Sequence, residues 1–271
     1  MKTKARVIAM YLPQYHPIPE NDKYWGKGFT EWTNVAKAKP LFRGHYQPHI
    51  PADLGFYDLR LPEVREAQAE MARDAGIEGF CYYHYWFGNG KMLLQKPFDE
   101  VLKSGKPDFP FCLCWANHDW TTKTWVKGSA IVNNTMIAEQ KYLGYDDNVK
   151  HFEYCLPAFK DHRYLKIDNK PIFVIYDPIN FIDVDKFMKC WNDLALQNGM
   201  DGIYFIGMKG GRSSSYKKII DLGFNGVCNN NRWESEAIES GSRIKRRLKT
   251  LLGWYLGATA MKFDYSSVVK N

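Results

Sequence analysis

The sequence lacks the motifs of several common classes of protein. None of its six cysteines forms a CxxC pair, and its seven histidines are scattered along the chain, so no metal site is predicted. It contains no G-x-S-x-G nucleophile elbow and no phosphate loop with Walker spacing. No stretch approaches the ~20 apolar residues that a membrane-spanning helix requires. We therefore expect no cofactor, no metal and no transmembrane segment.

The cysteines are typical of a reduced core and not of a disulfide framework. Four of them lie in or beside apolar runs that resemble buried strands: Cys81, Cys112, Cys114 and Cys228. The N-terminal segment Met1–Arg6 is basic, but Pro13 interrupts the apolar stretch that follows it, and no secretory cleavage site is present. These features predict a cytoplasmic protein.

The net charge of +7 has two possible meanings. Much of it lies near the C-terminus, at Arg243, Lys245, Arg246, Arg247 and Lys249. A basic run can contact nucleic acid, anionic lipid or an acidic glycan, although it is more often a solvated helix face. No RNA- or DNA-binding motif accompanies it, so we predict no nucleic-acid partner.

Six short apolar runs predict buried strands, with longer helical patterns between them. The strands are Val7–Tyr11, Gly79–Tyr85, Phe111–Trp115, Ile172–Tyr176, Ile203–Gly207 and Gly226–Cys228, and the helices are Leu61–Ala75, Asp147–Phe159 and Val184–Asn198. Alternating strands and helices predict parallel βαβ units. Each strand ends in a polar-aromatic cluster, and in α/β barrels the carboxyl ends of the strands build the active site. We predict a single α/β domain over residues 1–271, a (β/α)8 TIM-barrel-like fold that is incomplete because it has about six strand-helix units.

Aromatic residues make up 15% of the chain, and many of them lie where a barrel would place its binding site. Sugar-binding clefts use aromatic rings because the C–H faces of pyranoses pack on them, although rings also build cores. The predicted substrate-binding residues follow the strands or lie in the loop after the first strand: Tyr11, His16, Glu31, Trp32, Tyr83, Tyr85, Trp86, Trp115, Asn117, His118 and Asp177. Strand alternation places Tyr83 and Tyr85 on one face and Tyr82 and His84 on the other, so one pair alone can face the barrel interior.

Several segments together resemble one known family. They read YLPQYHPIPEND from Tyr11, GFTEW from Gly28, YQPHIPADLGFYDLR from Tyr46, GIEGFCYYHYWF from Gly76 and FCLCWAN from Phe111. In order and spacing they are similar to the glycoside hydrolase family 99-like proteins, also called WbsX proteins of polysaccharide loci. The resemblance covers the chain to about residue 233. It implies a (β/α)8 barrel that acts on glycosides in bacterial surface-polysaccharide (O-antigen or capsule) metabolism, with a glycan as its partner.

The resemblance also implies a chemistry, and the sequence departs from it in two places. Characterised family 99 enzymes are retaining endo-hydrolases of α-mannosides, which use two carboxylates while the substrate 2-hydroxyl acts as internal nucleophile. Those carboxylates belong to a motif NEWxE after the last strand, and this sequence contains none. The family pattern WANE reads WANH here, with His118 in place of a carboxylate. We therefore expect a chain that is C-terminally truncated relative to the family, with no endo-mannosidase activity of its own and no assigned catalytic residue.

Two other functions stay open. A glycosyltransferase of lipopolysaccharide or capsule biosynthesis would need a diphosphate site, and Asp183-Val184-Asp185 has the DxD form but opens a helix away from a strand end. A non-catalytic glycan-binding remnant would fit both departures from the family pattern.

A barrel that stops at six strands leaves the first and sixth strands as edges. We therefore predict that Ser242–Val269 covers the gap or that the chain self-associates through these edges.

Overall fold

The computed structural model describes residues 5–42, 44–122, 135–210 and 215–229, together with 244, 248, 265 and 266. The strands are β1 (Ile8–Tyr11), β2 (Gly79–His84), β3 (Phe111–Trp115), β4 (Trp120–Thr121), β5 (Met136–Ala138), β6 (Lys166–Ile167), β7 (Lys170–Ile175), β8 (Tyr204–Lys209) and β9 (Gly226–Asn229). The helices are α1 (Pro19–Trp25), α2 (Glu31–Lys37), α3 (Pro62–Asp74), α4 (Lys96–Ser104), α5 (Tyr145–Lys160), α6 (Val184–Gln197) and α7 (Tyr216–Asp221).

Six parallel strands form the main sheet in the order β1-β2-β3-β7-β8-β9. The order of the strands in space follows the order in the chain and never reverses, as in a barrel; a doubly wound sheet reverses at its switch point. The strands curl into a half-barrel, which confirms the predicted incomplete α/β barrel. Within the described residues, β1 and β9 are the two edges of the sheet.

All six predicted strands of the main sheet are present; β3 has the predicted bounds, and the other five have shifted ends. β7 starts at Lys170, two residues earlier than predicted, because the short strand β6 turns back on it and pairs Ile167 with Lys170. β8 continues to Lys209 because Met208 and Lys209 still find partners in Cys228 and Asn229 of β9. Strand length is therefore set by the neighbouring strand as much as by the apolar run.

The sequence prediction missed the short elements around the carboxyl ends of the strands. α1 and α2 lie in the segment after β1, which was interpreted as a fixed loop, and β4 and β5 form a separate antiparallel hairpin. Each of these helices has seven residues or fewer, so an amphipathic period cannot show in the sequence. These missed elements surround the cleft described below.

The core lies between the sheet and the helices and is unusually aromatic. Trp191 of α6 is fully buried and packs against Phe173 of β7 at a ring-centroid distance of 4.6 Å and against Phe187 at the same distance. Cys81, Cys112, Cys114, Cys155 and Cys190 are buried free thiols, and Cys228 is half-buried. Among the described residues, no helix combines the length and the apolar character needed to cross a bilayer.

Two predictions fall outside the described residues. They are the role of the basic residues Arg243, Lys245, Arg246, Arg247 and Lys249, and the covering of the sheet edge by Ser242–Val269, of which the structure describes Ile244, Leu248, Tyr265 and Ser266.

Candidate functional site

A cleft of about 400 Å³ opens at the carboxyl ends of β2 and β3. The described residues that line it are Leu12, Gln14, Asn21, Trp25, Phe29, Glu31, Tyr83, Tyr85, Ala116, His118, Trp120, Thr121 and Tyr176. Its position is the one at which α/β barrels hold their ligands, and its volume is within the ~300–1,000 Å³ typical of small-molecule sites.

Strand alternation decides which tyrosines reach the cleft. Tyr83 and Tyr85 line it, whereas Tyr82 and His84 point to the opposite face of β2 and pack under the helices. Tyr85 stacks with Trp120 of β4 at a centroid distance of 5.9 Å and an interplanar angle of 25°. Burial raises the pKa of Tyr85 to about 12, so its hydroxyl keeps its proton at neutral pH. These rings form one aromatic wall.

The segment after β1 supplies a second aromatic wall. Trp25, the last residue of α1, stacks with Phe29 at 4.9 Å and 27°. Asp22 holds the turn between them, because its Oδ1 accepts hydrogen bonds from the backbone N–H groups of Gly28 at 2.9 Å and Phe29 at 3.3 Å. Gly28 has a φ of +81°, a conformation that favours glycine. The turn delivers Glu31, the first residue of α2, to the cleft.

The hydrogen bond of His118 determines its tautomer. Its Nδ1 lies 2.9 Å from the backbone carbonyl oxygen of Asp119. A carbonyl oxygen can only accept, so Nδ1 carries the proton and the Nε2 of the neutral ring is a hydrogen-bond acceptor. The ring also packs against Tyr176 at 5.1 Å. His118 therefore contributes an acceptor or a base to the cleft, where the family pattern has a carboxylate.

Asn117 and Asp177 lie side by side at the ends of β3 and β7, but their contacts are with each other and not with the cleft. The Asn117 Nδ2 donates to the Asp177 carbonyl oxygen at 2.8 Å and to the Tyr142 hydroxyl at 3.1 Å, and its Oδ1 accepts from the Asp177 N–H at 2.7 Å. The Asp177 carboxylate accepts from the Asn180 side chain at 2.8 Å. In this structure the two residues fix the strand ends that carry His118 and Tyr176.

Three other predicted residues lie in the packed interior. The Tyr11 hydroxyl donates to Gln68 of α3 at 2.6 Å, on the helix side of the sheet. Trp86 and Trp115 are buried, and the Trp115 indole N–H donates to the Trp86 carbonyl oxygen at 2.9 Å. Because Tyr11, Trp86 and Trp115 do not line the cleft, packing is the role that the structure displays for them.

His16 and Trp32 pack in the segment after β1. His16 is 1% exposed, and burial lowers its pKa, so the imidazole is neutral near neutral pH. The Trp32 indole N–H donates to the Tyr57 carbonyl oxygen at 2.8 Å, and its ring meets Tyr15 at 4.6 Å. Neither residue lines the cleft, so they support the loop that does.

Four of the predicted residues thus meet in the cleft, namely Glu31, Tyr83, Tyr85 and His118. The sequence prediction did not include seven other polar or aromatic lining residues: Gln14, Asn21, Trp25, Phe29, Trp120, Thr121 and Tyr176. Gln14 was detectable, since it follows β1 directly within YLPQYH, and its Nε2 donates to the Tyr85 hydroxyl at 3.2 Å. Tyr176 was also detectable, because it ends the predicted strand Ile172–Tyr176. The others lie in or beside α1 or in the β4–β5 hairpin, which the sequence did not reveal.

Three side chains of types that can bind a metal lie together away from the cleft, on the helix side of β2. Ligand atoms of His84, His151 and Cys155 fall within 4.8 Å of one another, and all three residues are buried. The two Nε2 atoms are 2.8 Å apart, whereas two ligands of a tetrahedral zinc ion at ~2.05 Å are separated by about 3.3 Å. The separation fits a shared proton, so the pair is a histidine–histidine hydrogen bond here.

The fold and the cleft define an α/β protein of the barrel class with an aromatic site at the carboxyl ends of its strands. The sequence matches the family described as Glycosyltransferase WbsX over residues 7–271, so the chain belongs to the WbsX family. It is 38% identical over 206 residues to the uncharacterized protein WxcX from Xanthomonas campestris pv. campestris, in each of two strains. That match covers 76% of this chain, but the chain spans 29% of the length of WxcX.

Solved structures support the barrel architecture. The GH99 endo-α-mannosidase from Bacteroides thetaiotaomicron, solved with bis-tris-propane, aligns with a TM-score of 0.51 and 15% identity over 94% of this chain and 67% of that one. A structure described as a glycoside hydrolase-like protein aligns with a TM-score of 0.52 and 13% identity over 90% and 67%. At these identities the similarity concerns the fold.

Proposed function

We propose that the cleft binds a glycan and that the protein acts on glycosides in bacterial surface-polysaccharide metabolism. The observation that carries this proposal is the pair of aromatic walls, Tyr85 with Trp120 and Trp25 with Phe29, in one cleft with Glu31. Pyranose rings present apolar C–H faces to such walls while their hydroxyls need polar partners between them. The WbsX family and the fold shared with a GH99 endo-α-mannosidase support the same interpretation.

The cleft also contains groups for proton transfer. Among the described lining residues, Glu31 supplies a carboxylate and His118 an imidazole, two side-chain types that enzymes use for proton transfer. Glycoside hydrolysis generally uses two carboxyl groups, one that protonates the leaving oxygen and one that attacks or activates the attacking oxygen, and Glu31 supplies one carboxyl group to this cleft. We propose that Glu31 takes one of these roles in the whole protein; the 206 residues that align with WxcX cover 29% of its length.

Two alternatives are kept, each with an observation in its favour. The description of the family favours a glycosyltransferase of lipopolysaccharide or capsule biosynthesis. His118 in place of a carboxylate favours a glycan-binding protein without turnover. Release of new reducing ends in the absence of a sugar donor would identify a hydrolase. Consumption of a nucleotide sugar would identify a transferase. Binding without any product would identify a glycan-binding protein without turnover.

Glycan binding is tested by isothermal titration calorimetry with α-1,2-mannobiose and α-1,3-mannobiose as probes. Trp120→Ala should weaken the affinity about tenfold or more, because an aromatic contact contributes about 1 kcal/mol beyond its buried area. Tyr145→Ala is the matched control, since Tyr145 is 67% exposed on α5 and does not line the cleft. Absence of binding by both disaccharides, or equal losses in the two variants with unchanged circular dichroism, would overturn the proposal.

A further inference from the structure

Asn21 is a polar side chain at the buried position of helix α1. It is 2% exposed, whereas the other residues of this short helix are half-buried or exposed. Its amide oxygen Oδ1 is buried and has no hydrogen-bond partner among the described residues. Buried polar groups are nearly always hydrogen-bonded, because an acceptor left without a donor lowers the stability of the fold. Packing alone therefore does not account for an asparagine at this position.

The place of Asn21 in the fold connects this amide with the cleft. Asn21 is one of the lining residues, and it lies one helical turn before Trp25, so the two side chains share a face of α1. The helix is fixed at this place. Asp22 holds the turn that follows it, and the Tyr24 hydroxyl donates to the Met136 carbonyl oxygen of β5 at 3.5 Å. The amide is therefore held beside the aromatic wall of Trp25.

The chemistry of the amide matches that of a sugar hydroxyl. An asparagine side chain carries both an acceptor oxygen and a donor NH2 group, and a hydroxyl likewise donates and accepts. The amide is uncharged, so its hydrogen bonding is independent of the protonation of other groups in the cleft. The terminal torsion of asparagine is soft and roughly two-fold, so the side chain can turn either end toward a ligand.

We infer that Asn21 recognises a hydroxyl of the bound glycan, which supplies the hydrogen bond that the described protein groups leave unmade at Oδ1. This inference rests on the proposed function, because it names a specificity-determining residue of the same cleft. A sugar unit that packs on the wall of Trp25 and Phe29 is favoured when it carries a hydroxyl within reach of the amide. An analogue without that hydroxyl leaves the amide unpaired in the complex and binds more weakly.

The first test replaces the amide by an apolar group of the same shape. Binding of α-1,2-mannobiose and α-1,3-mannobiose to the full chain and to Asn21→Leu is measured by isothermal titration calorimetry. We expect Asn21→Leu to weaken the affinity about three- to tenfold, the size of one hydrogen bond. We expect its urea midpoint to stay unchanged or to rise, because the substitution removes a buried acceptor without a partner.

Asn34→Leu is the matched control. The Nδ2 group of Asn34, on α2, is also buried without a hydrogen-bond partner among the described residues, but Asn34 does not line the cleft. We expect this variant to bind both disaccharides with unchanged affinity. Asn21→Ala, which cannot clash with its neighbours, gives the same comparison if circular dichroism shows that leucine impairs folding.

The second test identifies the hydroxyl with monodeoxy analogues of the two disaccharides. One analogue should bind the native chain about three- to tenfold more weakly than its parent. The same analogue and its parent should bind Asn21→Leu equally, because the two changes remove the same hydrogen bond. A residue that merely supports the fold would weaken the parent and every analogue by the same factor.

The outcomes separate this inference from the proposed function. Unchanged affinity of Asn21→Leu, or equal losses in Asn21→Leu and Asn34→Leu, would leave a glycan site in place and overturn the role of Asn21. A lowered urea midpoint with no coupling to any deoxy analogue would also overturn it, because Asn21 would then be a structural residue. If neither disaccharide binds the native chain, the proposed function and this inference both fail.

Discussion

Two buried histidines share a proton in the core, and their hydrogen bond makes a sharp prediction about acid stability. His84 of β2 and His151 of α5 lie with their Nε2 atoms 2.8 Å apart, so one ring donates and the other accepts. The His151 ring is sandwiched in aromatic contacts, with Trp86 stacked on it at 4.6 Å and 4°. Burial lowers the pKa of His84 to about 3, and burial with the neighbouring His84 lowers that of His151 well below its ordinary value.

The sign of the effect follows from these lowered pKa values. Well above pH 6.5 both histidines are neutral in the folded and the unfolded chain, so their titration does not change the free energy of unfolding. As the pH falls below 6.5, the histidines become protonated in the unfolded chain but stay neutral in the folded chain. The free energy of unfolding therefore decreases until the pH reaches the pKa of the folded state. For His84 alone, a folded pKa of about 3 gives a loss of about 2.7 kcal/mol at pH 4.5. A loss of this size is a large part of a typical total stability of about 5–15 kcal/mol.

The assay is urea unfolding followed by tryptophan fluorescence at pH 7.5, 6.0 and 4.5. His84→Gln together with His151→Gln keeps amide groups near the Nε2 positions but removes both titrations. We expect this variant to be less stable at pH 7.5 and to lose at least about 3 kcal/mol less than the native chain between pH 7.5 and 4.5, because His151 adds to the effect of His84. His162→Gln is the control, because His162 is 81% exposed. Parallel pH dependence in the native chain and the double variant would refute the reasoning.

Three other predictions concern the strand ends, the chemistry and the sheet edge. Asn117→Ala should lower the free energy of unfolding by about 2 kcal/mol, because it removes two hydrogen bonds from the part-buried N–H and carbonyl of Asp177; an unchanged urea midpoint would contradict this role. The purified 271-residue chain should release no product from α-mannosides, since an acid/base pair contributes ~10²–10⁴-fold per member and the NEWxE motif is absent; turnover that survives removal of host enzymes would show the prediction to be wrong. If the chain self-associates through β1, Met10→Lys should reduce the mass seen by light scattering, because Met10 is 43% exposed on that edge strand; an unaltered mass would exclude this edge.

The main sheet was predictable because its evidence is local. Each strand is a continuous apolar run between polar clusters, and all six runs became neighbouring parallel strands in chain order. The side-chain period of two also predicted that Tyr83 and Tyr85 share a face, and both line the cleft. The carboxyl ends of the strands were therefore identified as the place of the site before any contact was known.

The composition of the site was predictable only in part. Glu31 was selected by its motif and its neighbours, and α2 does bring it to the cleft. Trp115 ends the predicted third strand, and Trp120 follows it by five residues. Trp115 points into the core, where its indole N–H finds the Trp86 carbonyl oxygen, whereas Trp120 belongs to the β4–β5 hairpin and lines the cleft. A hairpin of two- and three-residue strands leaves no periodicity from which this difference could be predicted.

The sequence alone determined the strands, their parallel arrangement, and the end of the sheet at which polar and aromatic residues gather. These properties follow from apolar runs, a side-chain period and the geometry of βαβ connections, all readable within a few residues. The tertiary structure decided which side chains meet: His84 with His151, 67 positions apart, and Asn117 with Asp177, 60 positions apart. Such pairs depend on how α5 packs against the sheet and on how β7 pairs with β3. A side chain joins the core, a strand-end hydrogen bond or the cleft only when its partner, distant in sequence, is in place.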